Sequence, residues 1–347
     1  MNRAIKLGLV GAAALACAAT AGLAQQGPVF NVTPQSAGGP VAAPAATPPD
    51  TSPAIPATPA ATPGAPCHQT RVADLELTTE PSGQVAIPVS IDDRTYMLAV
   101  DTGTIHTVIT SRVADELQLE RDLSAQVYVM AGGIPIYQVA YSHSFKVGTM
   151  TTGRVGLLVT SPNSLNYDTD GLFGPDAMNN YDVEIDYAHG RFNLYSQDHC
   201  PGQVVYWTRG AYAQVPMHVD EDWHISVPLT MDGKPLNAFI DTGAARSFMT
   251  LGTVRELYGL TPDSPGMEKR TNVSINGTRP TTIYRYPFGV LNIEGIAVQH
   301  PDIEIMPDSA LGKDAPPLVI GANVLRQLHL YIAYKEQMLY ATPAEAK

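Results

Sequence analysis

The sequence predicts an all-β protein built as two homologous lobes, and three observations carry that prediction. Part of the chain repeats with a gap-free offset of about 140 residues, the mark of a duplication rather than of two unrelated domains. Within each copy the apolar residues fall into short, β-branched runs closed by Gly, Pro, Asn or Asp, which is the pattern of strands and tight turns. The helix-compatible stretches are short and follow those strands. At 347 residues the chain is long enough for two domains, each with a core of its own.

The duplication is legible residue by residue. Val85-Ala86-Ile87-Pro88-Val89-Ser90-Ile91 lies beside Ile225-Ser226-Val227-Pro228-Leu229-Thr230-Met231, with the prolines coincident. The same offset pairs Asp101-Thr102-Gly103-Thr104 with Asp241-Thr242-Gly243-Ala244, then Thr110, Glu116 and Leu117 with Thr250, Glu256 and Leu257. Each aspartate ends an apolar strand. The Thr-Gly after it makes a turn whose backbone N–H groups can face the carboxylate, and the Gly leaves room for close approach. A second signal follows in each copy, Leu172-Phe173-Gly174 and Val319-Ile320-Gly321. Short helices are expected next, over 175–179 and 322–327, and then strands over 183–187 and 330–334.

The other elements take their places between these. Residues 72–77 alternate as a strand, and the β-branched run 104–110 reads as another. Ser111 is expected to cap a short helix over 112–119. Residues 127–130 and 134–137 read as a hairpin around Ala131-Gly132-Gly133. The second copy is entered through 204–207, has its short helix over 253–258, and carries a hairpin with Asn276-Gly277 at its turn.

A formal net charge of −12 and a sequence pI of about 5.1 argue against nucleic acid and against an anionic membrane surface as partners. The first residues carry Arg3 and Lys6, then an apolar, Ala-rich run ending in small residues before Gln25, so residues 1–24 read as a secretory signal peptide. A membrane anchor, or a lipid-modified Cys17, are the other readings of that run. Residues 25–66 collapse to Ala, Pro, Thr and Gly and are expected to form a disordered linker, either a spacer or a removable pro-segment. The lobes then run over 67–200 and 201–347. The expected location is exported, periplasmic or extracellular, from a bacterial source. Cys67 and Cys200 bracket the first lobe, and export permits a disulfide between them, with two unpaired thiols as the alternative.

Hydrophobic-Asp-Thr-Gly followed by hydrophobic-hydrophobic-Gly, present twice, resembles the pepsin and retroviral-type aspartic protease superfamily over residues 70–342. The resemblance implies two pepsin- or retropepsin-like lobes with the active site in the cleft between them. It implies Asp101 and Asp241 as the catalytic pair, with Gly103 and Gly243 admitting water and substrate and Thr102 and Thr242 bracing the two loops through their hydroxyls. Gly174 and Gly321 would sit in the bed beneath. Tyr128, Gly132 and Gly133, with Asn276 and Gly277 in the second copy, are the implied flap residues over a polypeptide substrate. Hairpins in both halves are similar to a retroviral dimer fused into one chain, hence a monomer. No cofactor and no metal are implied.

The chemistry explains the doubling. Hydrolysis without a covalent intermediate needs one group to take a proton from water while another protonates the carbonyl oxygen, and two carboxyls sharing one proton do both. The motifs differ at Thr104 against Ala244. By resemblance, the Thr104 hydroxyl is expected to donate to Asp101, making Asp101 the more readily ionised partner. A second departure is Asn323 where the first copy has Asp176. The remaining residues offer little: His106, His143, His189 and His224 show no metal-ligand spacing and read as surface or satisfied residues. Neither a Cys-x-x-Cys nor a Gly-x-Ser-x-Gly occurs. The alternative function is a non-catalytic peptide- or cell-wall-binding protein on the same fold.

Overall fold

The computed structural model of the protein describes residues 68–344, apart from 82, 131–133, 166–168, 274–280 and 312–314. The expected signal segment and linker lie outside the described residues. Three sheets organise the rest: ten strands from the first half, ten from the second, and six shared by both.

The two ten-stranded sheets repeat one plan. Val85–Ile91 pairs antiparallel with Arg94–Val100, and Ile91 faces Arg94 across a two-residue turn. Asp92 and Asp93 form that turn at φ 46° and 62°, the doubly left-handed geometry that matches strand twist. In the second copy Met231 faces Lys234, with Asp232 and Gly233 at φ 49° and 75°. Each turn is tied to a later strand by its aspartate. Asp92 accepts from the N–H groups of His143 and Ser144, and Asp232 from those of Gly289 and Val290.

The next step places the site. Gly171–Phe173 inserts between two strands, parallel to Arg94–Val100 and antiparallel to Val108–Thr110. Leu318–Ile320 does the same between Lys234–Ile240 and Ser247–Thr250. A parallel neighbour ends level with the strand beside it, so each aspartate emerges next to the second Gly signal of its own lobe.

The six-stranded sheet joins the halves. Asp182–Asp186 from the first lobe pairs antiparallel with Leu328–Ala333 from the second, Glu184 facing Tyr331. Val183, Ile185, Leu330 and Ile332 point from it into the main core. Phe192, on the neighbouring strand Arg191–Tyr195, meets Phe173 edge-on at 6.1 Å, and Phe173 stacks on Phe145 at 6.5 Å. All three rings are fully buried. At roughly 1.5–3 kcal/mol per buried side chain, they bind the shared sheet firmly to the first lobe.

Several expected elements differ in detail. The strand expected over 104–110 begins only at Val108, because the preceding residues wrap around the Asp101 carboxylate. The helix expected over 112–119 is Ser111–Glu116, with Thr110 rather than Ser111 at its cap position and no side-chain capping bond. In the second copy the helix Leu251–Tyr258 is capped, the Thr250 hydroxyl accepting from Thr253 N–H. The first hairpin is longer than expected, Glu120–Met130 against Ile134–Ser142. The second pairs Glu268–Val273 with Thr281–Arg285, and its Asn276-Gly277 turn lies outside the described residues.

Candidate active site

Asp101 and Asp241 stand at the ends of the strands Arg94–Val100 and Lys234–Ile240, and each is pinned by its own lobe. The Asp101 N–H donates to the Phe173 carbonyl at 3.1 Å, and the Asp241 N–H to the Ile320 carbonyl at 3.0 Å. The turns then close on the carboxylates. Oδ1 of Asp101 accepts from the N–H groups of Gly103 and Thr104 at 2.9 and 3.1 Å, and Oδ1 of Asp241 from Ala244 N–H at 2.9 Å.

Two threonines lock the loops across the lobe boundary. The Thr102 N–H donates to the Thr242 hydroxyl and the Thr242 N–H to the Thr102 hydroxyl, both at 3.1 Å. Each hydroxyl donates onward at 2.7 Å, Thr102 to the Ile240 carbonyl and Thr242 to the Val100 carbonyl. Glycine is required beside them. A methyl group on Gly103 would collide with the Asp241 carboxyl, and one on Gly243 with the Asp101 carboxyl.

The two carboxyl groups therefore share one buried space, with residue exposures of 0% for Asp101 and 4% for Asp241. Burial pushes both above the ordinary range. Asp101 rises to about 6, held down by the Gly103 and Thr104 N–H groups and by the nearby His224 ring. Asp241 rises well above its ordinary value through burial and the Asp101 charge beside it. A buried pair of unequal acids at the meeting of two matching loops is the arrangement that acid–base hydrolysis uses.

Two family models match the chain in tandem, one on each copy. One, described as a gag-polyprotein putative aspartyl protease, matches residues 87–180. The other, described as an aspartyl protease, matches residues 227–324, and together they take in more than half of the chain. The chain belongs to the retropepsin-like aspartic protease superfamily. Among curated proteins none matches it.

Within this retropepsin-like frame the bed under the loops is built twice from different residues. In the first lobe the Thr107 N–H and hydroxyl both donate to Oδ1 of Asp176, at 2.9 and 2.7 Å, and the Thr107 hydroxyl accepts from Gly174 N–H. In the second, the Ser247 N–H and hydroxyl donate to Oδ1 of Asn323 at 2.7 and 2.8 Å, and the Ser247 hydroxyl accepts from Gly321 N–H. An amide oxygen accepts as a carboxylate oxygen does, so the change from Asp to Asn leaves the bed intact. A Cβ on Gly174 would sit 2.6 Å from the His106 carbonyl carbon, and one on Gly321 2.6 Å from the Ala244 oxygen.

One sequence expectation is corrected. The Thr104 hydroxyl donates to the His106 carbonyl at 3.3 Å and not to Asp101; the carboxylate oxygen within reach is already occupied by backbone N–H groups. Of the two readings of His224, surface or satisfied, it is the satisfied one that the structure shows. The residue is 3% exposed, and its Nε2 donates to the Gly103 carbonyl at 3.2 Å. The same offset that reveals the duplication places Gln84 at the equivalent point, and Gln84 donates to the Gly243 carbonyl. That pairing was available in the sequence, but nothing about a lone Gln and a lone His draws attention to it.

The other candidates sit away from the pair or outside the described residues. His143 meets Asp92 and His189 meets Asp186, both ordinary turn contacts, while His106 lies 3.5 Å from Asp176. Tyr128 lies in the first hairpin opposite Ile136; Gly132, Gly133, Asn276 and Gly277 lie outside the described residues. Cys200 is disulfide-bonded, and Cys67 lies outside the described residues. Among the described residues no cluster of His, Cys, Asp and Glu is placed to hold a metal ion, and no helix is long and apolar enough to cross a membrane.

Proposed function

We propose that the protein is an aspartic endopeptidase that hydrolyses peptide bonds with a water molecule activated between Asp101 and Asp241. The observation that carries this is the buried pair of carboxyls where the two loops meet, so close that a Cβ on Gly103 would strike the Asp241 carboxyl and one on Gly243 the Asp101 carboxyl. Asp101, the stronger acid, takes a proton from the water as its oxygen attacks the scissile carbonyl carbon. Asp241, the weaker acid, gives its proton to the carbonyl oxygen, so the tetrahedral intermediate is neutral. On collapse Asp101 gives its proton to the amide nitrogen as the C–N bond breaks, and Asp241 takes back the proton of one gem-diol hydroxyl as the carbonyl re-forms. Oδ1 of Asp101 is held by the Gly103 and Thr104 N–H groups, so Oδ2 is the oxygen turned to Asp241 and to the water. Both carboxyls come from one chain, so a monomer suffices.

Export, with residues 1–24 as the signal and 25–66 as spacer or pro-segment, belongs to the same proposal. A disulfide at Cys200 fits an oxidising compartment such as the periplasm or the exterior, with Cys67 as its partner.

The test is degradation of an unfolded protein such as reduced casein, with and without pepstatin. Wild type should cleave it, and Asp101→Asn and Asp241→Asn should each lose at least about a hundredfold, the scale of an acid–base group. Cleavage that persists in both variants overturns the reading.

A further inference from the structure

We infer that His224 is a positioning residue that breaks the symmetry of the pair, assigning the base role to Asp101 and the acid role to Asp241. The inference rests on the peptidase reading above and adds to it which half of the duplicated site does what.

The duplicated turn near the start of each lobe delivers one side chain across the lobe boundary. In the first lobe, Glu80 N–H bonds the Gln84 carbonyl and Gly83 N–H bonds the Glu80 carbonyl. In the second, Asp220 N–H bonds the His224 carbonyl and Trp223 N–H bonds the Asp220 carbonyl. Both turns carry a left-handed fourth residue, Gly83 at φ 92° and Trp223 at φ 67°. A bulky side chain occupies that region at a cost of about 1–2 kcal/mol, so the turn is retained in the second lobe against local preference. What it delivers is different: Gln84 reaches the carbonyl of Gly243 in the Asp241 loop, and His224 the carbonyl of Gly103 in the Asp101 loop.

The ring's partners determine its charge. A carbonyl oxygen only accepts, so the 3.2 Å contact to Gly103 requires a proton on Nε2. On the other side Nδ1 lies 3.2 Å from Oδ2 of Asp220, whose Oδ1 already accepts from the N–H groups of Asp222 and His224. That carboxylate accepts too, so Nδ1 also carries a proton when both contacts are made. The imidazole is then a cation, buried, packed against Phe239 at 5.8 Å between ring centres, and one carbonyl away from the Asp101 loop. The charged groups around it are Asp220 and Asp222 on its own turn with exposed Glu221 between them, Asp101 across the loop, and His106 facing Asp222 from the first lobe.

The Asp241 loop receives the neutral amide of Gln84 instead. A cation near one carboxyl of a coupled pair favours the charge on that carboxyl. The pseudo-twofold site is thereby given a direction, which the Thr104 hydroxyl, turned away to His106, does not supply.

The experiment compares pH profiles of kcat/KM on a peptide substrate for wild type, His224→Gln, and the exchange variant Gln84→His/His224→Gln. Gln at 224 keeps the hydrogen bond to Gly103 and removes the charge. It should move the acidic limb up by about one pH unit, and the exchange, which restores a cation on the other loop, should bring the limb back. In parallel, the imidazole 15N signals of His224 at pH 6 should show both nitrogens protonated, and Asp220→Asn should abolish that state. A neutral His224 ring, or superimposable profiles in all three proteins, overturns the assignment. A wild type as inactive as Asp101→Asn overturns the peptidase reading instead, and the 15N measurement still decides the state of the ring.

Discussion

Thr102 and Thr242 hold each other reciprocally: each backbone N–H donates to the other's hydroxyl at 3.1 Å. Both are fully buried, and each hydroxyl also satisfies a carbonyl of the opposite lobe, Ile240 for Thr102 and Val100 for Thr242. Replacing either by Val keeps the shape and orphans one N–H and one carbonyl in a dry interface. The expected cost is about 2–4 kcal/mol per substitution. Thermal denaturation of Thr102→Val and Thr242→Val should show it, and Thr→Ser at either position should lie near wild type because the hydroxyl remains.

Close approach of the two loops makes a sharper prediction. A methyl at Gly103 overlaps the Asp241 carboxyl, whereas one at Gly153 meets nothing within 4 Å. Gly103→Ala should abolish peptide hydrolysis by forcing the carboxyls apart. Gly153→Ala should keep wild-type activity and unfold at the wild-type temperature. Equal activity in the two variants would mean that the loops can separate without consequence.

The raised acidities of the pair imply a pH-dependent stability of definite sign. A carboxyl whose folded pKa lies above its unfolded value stabilises the fold below the unfolded pKa and loses that contribution as pH rises through the folded one. For Asp101 the window runs from about 3.8 to about 6, and for Asp241 it extends higher. Asp101→Asn and Asp241→Asn should therefore be inactive and more stable than wild type at pH 7.5. The gain at Asp101 is of order 3 kcal/mol, since each pK unit is about 1.4. It should shrink towards zero near pH 3.5. A gain of equal size at both pH values would point to a cause other than the carboxyl charge.

The legibility of this fold in its sequence follows from where the information lies. The duplicated Asp-Thr-Gly and the second Gly signal are contiguous words, and the strand ends they mark are found where the residues place them. The wall of the site is not contiguous. Gln84 acts from far upstream and His224 from far downstream of the loops they touch, so only the duplication offset links them. The Thr104 hydroxyl had two acceptors in reach, and only the folded turn, with backbone N–H groups already on the carboxylate, decides for the His106 carbonyl. The shared sheet misleads in another way. Asp182, Glu184 and Asp186 alternate with Val183 and Ile185, the pattern of a half-solvated strand. All five are nevertheless buried, because His199, Tyr206 and Trp207 from the connection between the lobes cover the polar face.

That covered face supports the last prediction. The Glu184 carboxylate accepts from Asn193 Nδ2 at 2.6 Å, the Tyr195 hydroxyl at 2.9 Å, the Tyr206 hydroxyl at 2.7 Å and His329 Nε2 at 2.9 Å. Burial raises its pKa, but these donors outweigh it and leave the group below the usual carboxylate range. His329, from the second lobe, stacks on Trp207 at 4.3 Å, with the planes 6° apart. One carboxylate thus ties a strand of each lobe to the connection between them. Glu184→Gln turns an NH2 group towards donors and removes the charge facing His329, so the expected loss at pH 7 is about 2–4 kcal/mol. Here the folded pKa is depressed. The contribution is present above the ordinary glutamate value and lost as pH falls through the folded one, so the difference from wild type should narrow on acidification below about 4.5, opposite to the behaviour of the catalytic-pair variants. Limited proteolysis should locate the damage, with new cleavage near Tyr206 and Trp207 in Glu184→Gln and none in wild type. A variant as stable as wild type at neutral pH, with that connection still protected, would show that Glu184 does not clasp the lobes.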